Sequence, residues 1–464
     1  MKGHNLWSYS PYKPPLRNVG DIYVCRVVPA PYSVYFEWLD CGLNEYLVYF
    51  RKRNDGEFSL FKKTDGAQCE ITGLETDTDY EFYLQSGDKK SLVRLAHTGE
   101  SVGTVVNYLH PDDTAYSFSG RYLCSPSLVR HPDGFLLASM DVFAGQHPQN
   151  LTLIFRSDDE GESWHYVSEL MPCFWGKMFI HNKELYMLSC STEYGDLLIG
   201  KSTDGGKTFS APVCLLRGSN GKNENNGVHK NPQNVFVHSG RIWNTLEWGN
   251  WGNSEFYHAA MVMSCSVNDD LLNPENWSFS EPLKYNPEWH GTVKNGWAAG
   301  TIEGTLCLSP DGELYNIMRY NIMSGEPAYG LVLAYKVDAE NPDAPLKYSH
   351  SIKMPCNNSK FMIKYDDISK KYYSIVSRID CEERAFGRNL LSLMYSTDLE
   401  NWGLVCDLID RKDQDVKQVG FQYVDFEFCG EDIIFLCRTA TNRAHDYHDA
   451  NYSTFHRIKN FRKL

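Results

Sequence analysis

The chain has 464 residues, 42% of them hydrophobic and 22% charged, which is the composition of a globular protein too long for one ordinary core. Its formal charge of −14 argues against general nucleic-acid binding, which needs a basic footprint, and no apolar run approaches the length that spans a membrane. The opening Met1-Lys2-Gly3-His4-Asn5-Leu6-Trp7 lacks the apolar run of a signal peptide, and the 14 Cys lie singly without a C-x-x-C. The expectation is a cytoplasmic protein with reduced, mostly buried thiols and neither cofactor nor structural metal.

In chain order, the first hundred residues carry strand-like runs at 22–27, 33–38, 45–51 and 80–85, separated by turn residues at sandwich spacing. Leu74 stands six residues before the strand-opening Tyr80, the placing of a tyrosine corner, whose phenol bonds back to upstream backbone. With Trp38 and Pro14-Pro15 these features resemble a fibronectin type III module over about residues 13–100. The resemblance implies an accessory or spacer domain, residues 1–100.

From residue 101 the rhythm changes to a strand, a tight polar or Gly turn and a second strand, six times over. The hairpins span 125–143, 175–191, 231–248, 300–320, 360–378 and 420–439. Ser157-Asp158-Asp159-Glu160-Gly161-Glu162-Ser163-Trp164 fits S-x-D-x-G-x-[S/T]-W, and Ser202-Thr203-Asp204-Gly205-Gly206-Lys207-Thr208-Phe209 repeats it with Phe for Trp. In this pattern the Asp accepts from turn N–H groups, Gly permits positive φ and the aromatic packs the turn onto its sheet. Ser396–Trp402 is a degenerate third copy, and Ser266-Val267-Asn268-Asp269 leading to Trp277 an expanded fourth. The spacing predicts an all-β protein: a small β-sandwich followed by a six-bladed β-propeller over 101–464, with 101–120 supplying the strand that closes the ring.

In a propeller the ligand funnel is lined where inner strands begin and where their neighbours end. The ends of the second strands are then Asp141, Glu193, Glu247, Arg319, Arg378 and Arg438. The starts of the first are Lys177, His229, Glu303, Lys360, Gln422, Tyr423 and Asp425. Arg319, Arg378 and Arg438, with Lys177 and Lys360 as companions, read as a clamp for a ligand carboxylate, because guanidinium groups bind carboxylates in paired, planar hydrogen bonds. Asp141, Glu247 and Glu303 are candidates for general acid, base or nucleophile, and His229 stands ahead of an inner strand within reach of the funnel. His445, His448 and His456 lack the spacing of metal ligands. The loop that carries His445 and His448 is expected to return beside Arg438 and, with Gln422, to give polar contacts.

The S-x-D-x-G copies and the string Ser125-Pro126-Ser127-Leu128-Val129-Arg130-His131-Pro132-Asp133-Gly134 resemble the sialidase superfamily of Asp-box propellers over about residues 105–464. That resemblance implies a glycosidase acting on a terminal, carboxylated sugar, with a three-Arg clamp and a final-blade Tyr–Glu nucleophile. The first clamp Arg is absent, since the site reads Leu123-Cys124-Ser125-Pro126, and no Tyr–Glu arrangement stands out although Tyr423 and Glu427 fall in the final blade. Asp-box propellers also resemble lyases acting on uronate linkages, in which His229, Tyr423 and the arginines would fill the roles of base and charge neutraliser. The expected ligand is an anionic oligosaccharide of sialic or uronic acid. Hydrolysis leads, elimination is its alternative, and a non-catalytic glycan-binding propeller is a second alternative.

Overall fold

The computed structural model describes residues 19–219, 225–252, 257–356 and 359–464. Pro14-Pro15 lie outside the described residues. Strands dominate, and the helical turns among the described residues are short 3-10 segments such as Pro274–Asn276.

The first module pairs two sheets. One orders Val24–Pro29, Ser33–Trp38 and Gln68–Thr72; the other holds Ser59–Thr64, Tyr46–Lys52, Asp79–Ser86, Lys89–Lys90 and Arg94–His97. Asp79–Ser86 alternates strictly, with Tyr80, Phe82 and Leu84 turned in on Phe36, Trp38 and Tyr46. The Tyr80 hydroxyl accepts from the Glu75 N–H at 2.9 Å, the backward bond expected from Leu74 and Tyr80. The module is held fast to the remainder of the chain: Val105, Tyr108 and Tyr452 share its core, and Arg94, 3% exposed, pairs with fully buried Asp113 at 2.7 Å.

Six antiparallel sheets succeed it in sequence order. Sheet I runs Tyr122–Arg130, Leu136–Phe143, Leu151–Ser157 and His165–Leu170. Sheet II runs Phe174–His181, Glu184–Cys190, Leu197–Ser202 and Val213–Leu216. In sheet III the first strand is broken into Gly227–His229 and Phe236–His238, both pairing with Arg241–Gly249; His258–Ser266 follows, and Trp277–Phe279 and Leu283–Lys284 both pair with it. The uninterrupted strand expected from Asn231 onward therefore does not form. Sheet IV has the longest hairpin, Lys294–Leu308 with Leu314–Glu326, then Leu331–Lys336 and Lys347–Lys353. Sheet V is Ile363–Asp366, Lys371–Ser377, Leu390–Ser396 and Trp402–Asp410. Sheet VI takes three strands from the end of the chain, Gly420–Cys429, Asp432–Ala440 and Tyr452–Ile458, and its fourth, Thr104–Tyr108, from just after the first module.

A separate apolar core fills each gap between successive sheets. Leu137 and Ile154 of I meet Met178 and Met187 of II; Leu188 meets Leu246 and Met263; Trp243 meets Met318 and Tyr335. Ile317 meets Val376, Leu393 meets Phe426 and Phe435, and Leu436 and Phe455 of VI return to Leu128 and Trp164 of I. The sheets thus close a ring. Between third and fourth strands sit the S-x-D-x-G turns. Ser163 donates its N–H and hydroxyl to Asp159 at 2.9 and 2.5 Å, Gly161, at φ 96°, donates to Ser157 Oγ at 2.8 Å, and Trp164 is fully buried. Thr208, Asp204, Gly206 and Ser202 repeat these bonds, and Asp398 and Ser396 form the degenerate version.

Candidate functional site

Four first strands carry the same irregularity. Their ladders slip between Cys124 and Ser127, Phe174 and Lys177, Ile302 and Gly304, and Gln422 and Asp425. At each slip one residue takes the left-handed conformation: Ser125 (φ 52°), Trp175 (52°), Glu303 (59°) and Tyr423 (56°). None of these is glycine, so each bulge is strained, and strain of this kind gathers where a side chain must be re-aimed. All four line one cavity of about 400 Å³ at one end of the ring.

A bulge also takes a buried N–H out of the ladder, and that donor needs an acceptor. The neighbouring sheet supplies it from the end of its second strand. Asp141 of sheet I accepts from the Trp175 N–H at 2.6 Å, and Glu247 of sheet III accepts from the Glu303 N–H at 2.9 Å. The Glu247 carboxylate also holds His229 Nδ1 at 2.7 Å, and Asp141 takes the Thr152 hydroxyl at 2.5 Å. Both acids are fully buried and neither lines the cavity. Read from the sequence as catalytic candidates, they sit as braces of the bulges, with burial pushing Asp141 up to about 7.

Lys177 and Lys360 are not at the mouth either. Lys177 Nζ lies 2.5 Å from Asp425, which also accepts from the Leu128 N–H at 2.7 Å. Lys360 Nζ donates to the carbonyls of Pro232 and Val424, both at 3.3 Å. These groups fill the axis beneath the cavity. Desolvation there pushes Lys360 and Lys230 down to about 8. Gln422 is buried behind the site, bonded to Arg388 Nη1 and to the Tyr447 carbonyl. Arg378 faces outward on sheet V, bonded to Asp407 at 2.8 Å and to Ser392 at 3.0 Å.

The cavity does gather three guanidinium groups, from Arg319, Arg388 and Arg438. Arg388, absent from the sequence reading, comes from the residues just ahead of Leu390–Ser396, where its carbonyl accepts from the Phe421 N–H at 2.7 Å. Second strands end at this face, so third strands begin at it, and that was the signal to follow. All three surround Tyr423. Arg319 Nη1 donates to the Tyr423 hydroxyl at 3.2 Å, and the Arg438 and Arg388 guanidinium carbons lie 5.0 and 5.7 Å from its ring. The Tyr423 hydroxyl also hydrogen-bonds Glu303, whose other partner is Arg319 at 2.7 Å. Burial would lift the Glu303 carboxyl, but Arg319 outweighs it and holds it below the usual range. The Tyr423 phenol is pushed up by burial and by Glu303, against the pull of the arginines. Burial and the neighbouring guanidinium groups lower Arg388 to about 10, so it remains a cation at neutral pH. Tyr423 of sheet VI and Glu303 of sheet IV thus form a hydrogen-bonded pair whose partners lie far apart in the sequence. Arg438 packs over Phe143 and beside Cys124.

The rest of the lining comes from sheets II and III and from the tail. His229 packs against Trp175 (centroids 4.2 Å) and His258 (4.8 Å). Glu193 takes the Gln149 amide at 2.8 Å, and Asn231 lies buried with neither side-chain amide atom bonded among the described residues. As expected, the tail loop returns beside Arg438: His448 contacts it at 3.3 Å and pairs with Asp449 at 2.8 Å. Desolvation of its half-buried ring, with Arg438 beside it, lowers His448 to about 4. A larger cavity, about 740 Å³, opens at the opposite end of the ring among Phe179, Val235, Leu308 and Phe428, with the Lys364–Glu427 pair at 2.7 Å in its lining.

No protein-family model matches the sequence. Among solved structures, the chain is similar to an alpha-L-arabinanase of Penicillium chrysogenum complexed with arabinobiose, at 12% identity and a TM-score of 0.50 over 78% of this chain and 99% of that one. It is similar also to a GH93 alpha-L-arabinofuranosidase of Fusarium graminearum with arabinobiose, at 12% identity and a TM-score of 0.51 over 78% and 98%. A point mutant of a Fusarium graminearum arabinofuranosidase in complex with an iminosugar inhibitor matches at 14% and 0.50 over 77% and 97%. At such identities the likeness is one of fold: all-β and propeller-like.

Proposed function

We propose that the six sheets are the blades of a six-bladed propeller, that the first module is a fibronectin-like spacer, and that the cavity around Tyr423 cleaves a terminal, carboxylated sugar from an oligosaccharide by hydrolysis. The observation that carries this reading is the Tyr423 hydroxyl held between Arg319 and Glu303, with Arg388 and Arg438 against its ring. An anomeric carbon that bears a carboxylate repels an anionic nucleophile. A neutral phenol that loses its proton to Glu303 only as it attacks avoids that repulsion, and Arg319 stabilises the phenolate as it forms. The guanidinium groups hold the ligand carboxylate, in a chain otherwise strongly acidic. The arabinobiose and iminosugar in the solved neighbours support a sugar as ligand. The 14 thiols, all unpaired, support a reducing, cytoplasmic setting and so a short glycan.

A panel of sialosides and uronate oligosaccharides, followed by reducing ends and near-ultraviolet absorbance, tests the reading. New reducing ends without a new chromophore are expected. A second reading, elimination, rests on the His229–Glu247 pair at 2.7 Å, which orients the imidazole as a base toward a uronate α-proton; an unsaturated, absorbing product would favour it. Saturable binding without turnover on any member would refute both.

A further inference from the structure

The cavity has two walls. Glu303 and Arg319, Arg388, and Tyr423 and Arg438 come from sheets IV, V and VI; Trp175 and Glu193, and His229 and Trp251, come from sheets II and III and the segments just after their strands. In the ring, sheet III stands across from sheet VI. In-line displacement by the Tyr423 oxygen therefore sends the leaving oxygen toward the wall of sheets II and III.

Three carboxyl groups line the cavity. Glu303 is held by Arg319 at 2.7 Å, and Asp449 is paired with His448 at 2.8 Å. Glu193 has neutral donors instead, the Gln149 amide at 2.8 Å and the Trp251 indole, and makes no ion pair among the described residues. It is also the only one of the three on the wall that the leaving oxygen approaches. We infer that Glu193 is the proton donor to the leaving-group oxygen, an assignment that rests on the hydrolytic reading above. Burial raises its carboxyl above the usual range, in keeping with a group protonated as the reaction begins.

The step balances. Tyr423 Oη bonds to the anomeric carbon and gives its proton to Glu303. The glycosidic C–O bond breaks, its electron pair stays with the leaving oxygen, and the Glu193 proton joins that oxygen. In the second half Glu193, now a carboxylate, takes a proton from the water that attacks the anomeric carbon. The bond to Tyr423 breaks, and Glu303 returns the phenol proton. Trp251 and Trp175 line the same wall.

The test compares wild type with Glu193→Gln on two sialosides, one with lactose as leaving group and one with 4-nitrophenol, which departs without a proton. With the sugar leaving group kcat/KM is expected to fall about 10²- to 10⁴-fold, and with 4-nitrophenol less than about tenfold. The alkaline limb of the wild-type pH profile should vanish in the variant. Glu193→Asp should fall between the two, and circular dichroism should show all three proteins folded. An equal loss on both substrates, no loss on either, or a persisting alkaline limb overturns the assignment. So does a leaving-group-selective loss in His229→Gln with Glu193→Gln spared. If wild type turns over neither glycoside, the hydrolytic reading falls and takes the assignment with it; if wild type is active and the variant unselective, only the assignment falls.

Discussion

Replacing Arg388 by Met keeps the length and apolar bulk of a side chain that is 4% exposed and removes its charge. The charge stands in the fold at a cost: a fall from 12.5 to about 10 corresponds to roughly 3 kcal/mol, because burial and the guanidinium groups of Arg319 and Arg438 both oppose it. Deleting it recovers energy of that order. Against this, the Gln422 oxygen loses the donor it now has and is left buried, at about 1–3 kcal/mol, and the contacts over Tyr423 and Tyr447 (5.7 and 5.3 Å) lose their cationic part. The two effects offset, so the melting temperature of the ligand-free protein should change little. Binding should change much more. A carboxylate that loses one charged hydrogen-bonding partner gives up about 1.5–3 kcal/mol, or roughly 10- to 150-fold in Kd.

Isothermal titration of Arg388→Met with a sugar acid and with its carboxamide separates charge recognition from shape. The acid should weaken by that factor and the amide by less than about threefold. Arg378→Met is the matched control, since its partner Asp407 lies outside the cavity, and neither ligand should respond. Equal loss of acid and amide in Arg388→Met, or an acid-selective loss in Arg378→Met, would refute the assignment of the clamp.

Tyr423→Phe removes the hydroxyl between Arg319 and Glu303 and should lower kcat by about 10²- to 10⁴-fold while the Kd of the sugar acid stays within a few-fold; single-turnover kinetics and titration check it. Asp425→Asn leaves Lys177 buried without its counter-ion and should cost about 3–5 kcal/mol in urea unfolding, much of it recovered in the double variant with Lys177→Met. His456, half-buried and stacked on Phe435, is lowered to about 4 by desolvation. Because its folded value lies below the unfolded 6.5, the stability it contributes is present above about pH 6.5 and is lost as pH falls toward 4. His456→Gln should remove on the order of 3 kcal/mol of that acid loss, measured as unfolding free energy against pH. The part due to His448 should remain.

Most of the strand pattern was legible because it rests on local chemistry. Polar turns between alternating apolar runs placed the hairpins, and Ser157-Asp159-Gly161-Ser163 encodes a turn whose every bond lies within seven residues. The site was harder to read because strand periodicity gives the face a side chain points to and not its depth along the axis. Glu303 and Tyr423 reach the mouth because they sit at left-handed bulges; Lys177 and Asp425, two residues beyond Trp175 and Tyr423 where the ladder resumes after the slip, fall into the buried plug instead. Nothing in the local composition distinguishes a charge at the mouth from one in the plug.

The same geometry explains why Asp141 and Glu247 were read as catalytic. Each stands at the end of a second strand, as an active acid would, yet each is required there by the N–H that the adjoining bulge releases. A carboxylate that must accept a backbone proton cannot be told, from sequence, from one that must move a proton. The four bulges tell them apart: a bulge residue presents its side chain to the cavity, and the acid that braces it is spent on its backbone. By that rule Glu303 and Tyr423 are the residues to which the proposed chemistry falls, Asp141 and Glu247 lie buried outside the cavity, and Ser125 marks the inner strand where Arg438 packs beside Cys124.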